Sequence, residues 1–432
     1  MTSDDVVAVD DLPVAEKGPI LIVTYGGGHV AMLTPVARSL IAKGHPVLVL
    51  ALTTAVGYLE RAGIPFIGYR HLPDADQADV VAWGRKLTSE LPSGGSIELA
   101  ESVAYMGLNY RELVAEHGLE GAAQLFAEKG RRVFCPIGLF KRWLAELRPS
   151  LVIATSAPRS ERAALEAASA LGIASICAVD LFGLQEIQWI NRPGYASRIC
   201  VLNQQVRDMF VEKGCHPDAI VVTGNPAFDR LQQPQVQEAG RAMRAAKGWG
   251  KDETVILWAS QVEPERHPFD GRIGDPTLPR RIEAVLREFV STHANYRLVL
   301  RYHPSESAQF HSGQARVELS PPSEDLATLL HALDIVVVTS STVGLEAHLA
   351  GRCVLSVGGS VFNQDAPYGK MGIATEVSSP EGLGAALSCV QLKSEQRPSM
   401  VSAGPLMASA THNIVELAES LLGSEGTVSP LS

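Results

Sequence analysis

Short apolar runs, each followed by a turn and then by a segment of helical periodicity, recur along almost the whole chain. That alternation constrains the fold more than any other feature. A run that is apolar on both faces needs helices above and below it, so the pattern predicts parallel sheets covered on both sides. The first series comprises Ile20 to Tyr25, Pro46 to Leu52, Phe66 to Tyr69, Leu151 to Ala154, Ala174 to Val179, Ile199 to Leu202 and Ala219 to Val222. Pro35 to Lys43, closed by Gly44, carries the first helical period, and residues 97–148 read as mostly helical. From Gln232 to Gly250 the chain turns polar behind a Gln/Pro opening, which reads as a crossover between domains. A second series then runs through Thr254 to Ala259, Arg297 to Tyr302, Ile335 to Val338 and Val354 to Val357.

The expected fold class is therefore α/β, with two doubly wound, Rossmann-like domains over residues 18–231 and 251–396. Thr411 to Leu422 is a last amphipathic helix, and the segment 397–423 is expected to pack back on the first domain. Residues 1–17 and roughly 424–432 are polar tails with poor patterning, expected to be disordered.

A chain of 432 residues is too long for one ordinary core, and 46% hydrophobic with 19% charged residues suits a compact enzyme. The net charge of −10 and pI near 5.7 argue against nucleic acid as a partner, because neutralising phosphates needs a basic stripe. They also argue against a strongly anionic membrane surface as the main partner. The six cysteines are scattered, without a CxxC pair or metal-ligand spacing, and read as small apolar fillers in a reducing compartment. Met1 to Asp11 is acidic and lacks the basic and apolar regions of a signal peptide, and no apolar stretch approaches the roughly 18 residues of a membrane span. A cytoplasmic location is expected, with peripheral membrane contact left open.

The first strand ends in Gly26-Gly27-Gly28-His29, a turn that lets a ligand approach the start of the next helix. The spacing Gly26-x-Gly28-x-x-Ala31 loosely matches a dinucleotide fingerprint. The second strand, however, ends Leu52-Thr53-Thr54 without the carboxylate that would grip a ribose, which argues against a nicotinamide cofactor. His29 has two readings: a general base, since imidazole titrates near neutrality, or a capping and packing residue of the turn.

In the second half three strand ends are polar. Ser340-Ser341-Thr342-Val343-Gly344 opens a helix that carries Glu346, Arg301-Tyr302-His303-Pro304 closes a strand, and Ser260-Gln261 closes another. Hydroxyls and free N–H groups at a helix start can cradle a diphosphate or form a plain N-cap. Glu346, one turn on, suits a ribose, or else simply answers the helix dipole. Asn363-Gln364-Asp365 offers partners to sugar hydroxyls, with a solvated loop as the alternative.

These motifs resemble those of glycosyltransferases of the GT-B fold, over nearly the whole chain between the tails. Gly26-Gly27-Gly28-His29-Val30 with Pro35, and Leu40 with Gly44-His45, look like the N-terminal signature of UDP-glycosyltransferases and of the peptidoglycan N-acetylglucosaminyltransferase. Thr223-Gly224-Asn225-Pro226, Arg301-x-His303-Pro304 and Ser340-Ser341-Thr342-x-Gly344-x-Glu346 are similar to segments shared with hydrolysing UDP-N-acetylglucosamine 2-epimerases. The His-Pro and Ser-Ser pairs also look like those of transferases that use CMP- or CDP-linked donors. The long plant-type donor signature and the epimerases' N-terminal Gly-Thr-Arg-Pro-Glu pattern are both absent.

The resemblance implies two Rossmann-like domains facing a cleft and a C-terminal helix returning to the N-terminal domain. It implies transfer of a sugar from a nucleotide-sugar, a UDP-sugar first, to an acceptor hydroxyl, with His29 as catalytic base and inversion at the anomeric carbon. A hydrolysing epimerase and a CMP/CDP-donor transferase are the alternatives. The donor set it implies is Ser260, Gln261, Arg301, His303, Ser340, Ser341, Thr342, Gly344, Glu346, Gln364 and Asp365. Gly27, Gly28, Glu161, Asp180 and Asn225 are assigned to the acceptor site or the cleft, with Asp180 or Glu161 as candidates to orient His29 or the acceptor, though nothing in the sequence ties them to it. No metal and no cofactor are expected, because Asp74-Ala75-Asp76, the obvious DxD sequence, lies in a polar, loop-like stretch of the first half.

Overall fold

The computed structural model describes residues 18–89, 97–268, 270–307, 309–395 and 409–423. The two expected tails, and residues 397–408 of the expected C-terminal segment, lie outside the described residues. The chain divides into two compact units, Met1–Ala227 with Ala408–Ser432, and Phe228–Met407.

The first unit follows the order β1 (Gly18–Thr24), α1 (Gly28–Ala42), β2 (Val47–Ala51), α2 (Ala55–Ala62), β3 (Phe66–Ile67), α3 (Ala78–Ser89), α4 (Leu99–Lys129), α5 (Ile137–Leu147), β4 (Pro149–Thr155), α6 (Ser160–Ala170), β5 (Ser175–Ala178), α7 (Ile187–Ile190), β6 (Arg198–Val201), α8 (Gln204–Glu212) and β7 (Ile220–Val222). Its seven strands are parallel, in the order β3-β2-β1-β4-β5-β6-β7. Ile22 of β1 faces Val49 of β2 on one side and Ile153 of β4 on the other. All three are buried, which is why these strands read as continuous apolar runs rather than as alternating ones.

Two local differences from the sequence reading have physical causes. Helix α1 opens at the glycine turn, and Pro35 lies inside it rather than at its start. The strand expected to reach Tyr69 stops at Ile67, and Tyr69–His71 turns into a 3₁₀ helix. The buried carboxylate of Glu101 accepts the N–H groups of Tyr69 (2.6 Å) and Arg70 (3.1 Å), giving this backbone partners that a ladder would otherwise have supplied.

The last helix, α14 (Ala410–Gly423), lies on α1, with Ile414, Val415 and Ala418 in the same core as Val36 and Leu40. Lys43 pairs with Glu416 and Glu419 at its rim. Such exposed pairs are screened by water and contribute little, so apolar burial holds the helix.

The second unit contains α9 (Pro234–Ala246), β8 (Thr254–Ala259), α10 (Leu278–Thr292), β9 (Tyr296–Arg301), β10 (Val317–Leu319), α11 (Leu326–Ala332), β11 (Ile335–Val338), α12 (Thr342–Leu349), β12 (Cys353–Val357), β13 (Thr375–Val377) and α13 (Leu383–Glu395). The six strands are again parallel, in the order β10-β9-β8-β11-β12-β13. The edge strands β10 and β13 are three residues each and went unread in the sequence.

The polar stretch 232–250, read as a crossover, is for most of its length the helix α9, packed against α11 inside this unit. The approach is close. A Cβ at Gly240 would stand 2.3 Å from that of His331, and Arg244 donates to Asp334 and to the carbonyls of Ala332, Gly250 and Glu253.

Candidate active site

In each sheet the chain leaves two adjacent strands in opposite directions, which opens a crevice at their carboxyl ends. The strands are β1 and β4 in the first unit and β8 and β11 in the second.

The loop after β1 must be glycine-rich for steric reasons. A Cβ at Gly26 would stand 1.8 Å from the Thr54 hydroxyl, and Gly27 has φ 70°, the left-handed region. This turn sets His29 in the first turn of α1. Its Nε2 lies 3.9 Å from a carboxylate oxygen of Asp180, just past β5, while its Nδ1 is buried with no hydrogen-bond partner. The backbone N–H of Asp180 donates to Ser156 Oγ.

Glu161, at the start of α6, is fully buried, and its Oε1 has no hydrogen-bond partner. Burial raises the pKa of Glu161, against the opposing charges of His29 and Arg159. Burial likewise raises that of Asp180, against the charge of His29 and the Leu181 N–H. Three residues far apart in sequence thus converge because β1, β4 and β5 are consecutive in the sheet.

Two further residues of this crevice were missed by sequence reasoning. The Tyr25 ring stands edge-on to His29, with centroids 6.2 Å apart, and the Arg159 guanidinium lies 5.3 Å over that ring. Their only signal was position, each lying just beyond a strand end. Gly28 lies beside Asp180, whose carboxylate oxygens would stand 3.7 and 3.8 Å from a Cβ there. Asn225 is committed to its own turn, its buried carboxamide accepting the Ala227 N–H at 2.9 Å. Neighbouring Gly224, at φ 81°, is covered by Ala410 of α14.

The second crevice is neutral at its centre. Gln261, after β8, bonds Ser340, after β11, at 2.9 Å across the reversal. Ser341 caps α12 by accepting the Val343 N–H, and Thr342 is exposed at the first helical position. Gly344 is required for packing, since a Cβ there would meet Val338 at 2.8 Å and Tyr368 at 2.9 Å. The Tyr368 hydroxyl in turn donates to the Ser341 carbonyl at 2.7 Å. Burial pushes the pKa of Glu346 up to about 7, against the charge of Arg301, and its carboxyl makes no hydrogen bond among the described residues.

Several residues of the expected donor set have structural commitments. Arg301 donates to Ser320 Oγ and to the carbonyls of Pro321, Pro322 and Glu324, so it pins that loop and reaches Glu346 only through its charge. Asp365 accepts from Arg272 at 3.0 Å and lies 3.1 Å from His267. Asn363 ties its loop to the carbonyls of Thr339 and Val357. Ser260 is engaged by Glu306 and Arg280, a pair the sequence did not point to. His303 accepts the Ser305 N–H on Nδ1 and is otherwise exposed, as is Gln364.

No family model matches the chain, and no curated protein matches it in sequence. Solved structures do match it in fold. The UDP-GlcNAc 2-epimerase from Neisseria meningitidis, bound to UDP-GlcNAc, is 14% identical with a TM-score of 0.53, covering 93% of this chain and 99% of that one. The UDP-GlcNAc 2-epimerase from Methanocaldococcus jannaschii, in complex with UDP-GlcNAc and UDP, is 13% identical with a TM-score of 0.53, covering 93% and 99%. The glycotransferase of kitacinnamycin is 14% identical with a TM-score of 0.51, covering 94% and 100%. The chain has the GT-B fold. Fold alone leaves the reaction to the site residues.

Proposed function

We propose that this protein is a glycosyltransferase that moves a sugar from a nucleotide-sugar, a UDP-sugar, to a hydroxyl of an acceptor. The observation that carries the reading is the pairing of His29 with Asp180 at the reversal of the first sheet. An acceptor hydroxyl loses its proton to His29, and the imidazolium so formed is stabilised by the Asp180 carboxylate. The nucleotide phosphate departs against the start of α12, where the Ser340, Ser341 and Thr342 hydroxyls and free N–H groups offset the developing charge. Glu346 accepts hydrogen bonds from the ribose, and inversion follows from single displacement. Two neighbours in fold, described as bound to UDP-GlcNAc or UDP, support the choice of a UDP-linked donor.

The test is incubation with UDP-GlcNAc and UDP-glucose, first without an acceptor and then with a panel of hydroxyl compounds. UDP release that waits for an acceptor supports transfer. Release at full speed without one, together with an epimerised free sugar, would replace transfer by hydrolytic epimerisation.

A further inference from the structure

We infer that the first unit carries an oxyanion subsite beside His29, so that the acceptor is a hydroxyl compound bearing a carboxylate about one ring's length from the reacting hydroxyl. This rests on the transferase reading for the word acceptor, but the subsite stands on its own observations. A pocket of about 40 Å³ opens next to Tyr25 and is lined chiefly by apolar and aromatic groups, among them Tyr69 and Tyr105, with the guanidinium groups of Arg131 and Arg159. Its one carboxylate, Glu101, is occupied by the backbone N–H groups of Tyr69 and Arg70. Among the described residues neither arginine has a carboxylate within ion-pair distance. Arg131 is exposed, whereas Arg159 is half-buried and lies over the Tyr25 ring.

Glu161 lies near enough for Arg159 to feel its charge, but it stands beyond ion-pair distance from that guanidinium. A guanidinium drawn out of water without a counter-ion is costly, and a fork of N–H donors at the edge of a dry pocket matches a carboxylate in shape and charge. The volume takes a few heavy atoms rather than a whole ring, since a dry cavity that holds benzene is about 150 Å³. Tyr25 is a wall of this pocket and also the ring that stands against His29. A carboxylate in the pocket and a hydroxyl at His29 are therefore two ends of one molecule passing Tyr25.

The test uses 4-hydroxyphenylacetate and its neutral isostere 4-hydroxyphenylacetamide, titrated into the full chain by saturation-transfer NMR with no nucleotide-sugar present. The acid should bind about tenfold more tightly than the amide, as a charge-assisted bidentate contact requires. Arg159→Met should erase that preference while leaving amide affinity unchanged. Arg131→Met, an exposed position, should weaken it by about threefold and serves if the first variant does not fold. Equal affinity for acid and amide, no binding of either at millimolar concentration, or a preference that survives in folded Arg159→Met would each overturn the subsite. A clear acid preference in a protein that transfers no sugar would sink the transferase reading and keep the subsite. Transfer to neutral acceptors without any acid preference would do the reverse.

Discussion

The crevice between β1 and β4 and the crevice between β8 and β11 arise from the same reversal of strand order, yet their chemistry is opposite. The first gathers ionisable groups: His29 faces Asp180, and the buried Glu161 lies close enough to feel the charge of His29. At the centre of the second a carboxamide and three hydroxyls surround a helix start, and the partly buried Glu346 carboxyl makes no hydrogen bond among the described residues. A shared backbone scaffold therefore fixes where a ligand can approach, while a few residues just past the strand ends decide what can be done to it. Proton transfer needs groups whose charge changes near neutrality, whereas holding a phosphate needs donors that remain in place throughout.

The contrast breaks most visibly at His29. If the first unit supplies the base, His29→Ala should cut kcat by about 10²- to 10⁴-fold. Nucleotide affinity, measured by calorimetry, should stay constant if the second unit holds the nucleotide, as proposed. Asp180→Asn should cost less, about tenfold, since a 3.9 Å pair between partly exposed groups is screened by water. Wild-type kcat in His29→Ala would make the histidine a residue of the turn.

Glu346 tests the second unit. Its folded-state pKa of about 7 stands above the ordinary 4.5, so folding favours the neutral form. That stabilisation is complete below about pH 4.5 and is lost as pH rises through 7. Glu346→Gln should match the wild type in urea unfolding at pH 4.5 and exceed it at pH 8 by on the order of 3 kcal/mol at most. An equal gain at both pH values would leave Glu346 without a buried role.

How much of this was legible beforehand follows from what local sequence can encode. Strands buried on both faces announce themselves as apolar runs, so β1, β2, β4, β8 and β11 were readable, whereas β10 and β13 are too short to carry a pattern. His29 stood out because three glycines in a row before a helix mark a turn open to a ligand. Its partners did not, because the approach of Asp180 and Glu161 depends on strand order, which no local pattern records. Polarity misled in 232–250, where α9 buries Gly240 and Val236, turns Glu238 and Arg241 outward and commits Arg244 to bonds within the unit. Arg301 and Asp365 were offered as ligands from their places after strands and from the resemblance, and their hydrogen bonds go to neighbouring loops and side chains.

The hydroxyls at the start of α12 should matter less than Glu346 at high pH. Replacing Ser341 and Thr342 by Ala should weaken UDP binding by about 1 to 3 kcal/mol if each loses a hydrogen bond to a charged oxygen. Ser341 also caps the helix, and losing a cap costs about 1 kcal/mol of stability, so affinity is to be read well below the melting temperature. Unchanged affinity in the folded double variant would move the phosphate away from this helix and remove the second unit's half of the contrast.

The smallest effect expected is none at all, from a chelator. Transferases that depend on a divalent ion hold it with paired carboxylates, and Asp74-Ala75-Asp76 has that spacing in this chain. Asp74, however, sits in a turn at φ 67° with its carboxylate 3.3 Å from the Arg111 guanidinium, which also reaches Asp79 at 3.8 Å. A cation would have to displace that arginine, and among the described residues no group of three His, Cys, Asp or Glu side chains is placed to hold a metal. On the proposed reading, the charge of the departing phosphate falls to the α12 start and its hydroxyls. Steady-state rates should accordingly agree with and without EDTA. Loss of activity in EDTA, restored by Mn²⁺ or Mg²⁺, would mean that a cation does what has been assigned here to hydroxyls and backbone N–H groups, and the neutral character of the second crevice would have to be reinterpreted as the lining of a metal-bound diphosphate.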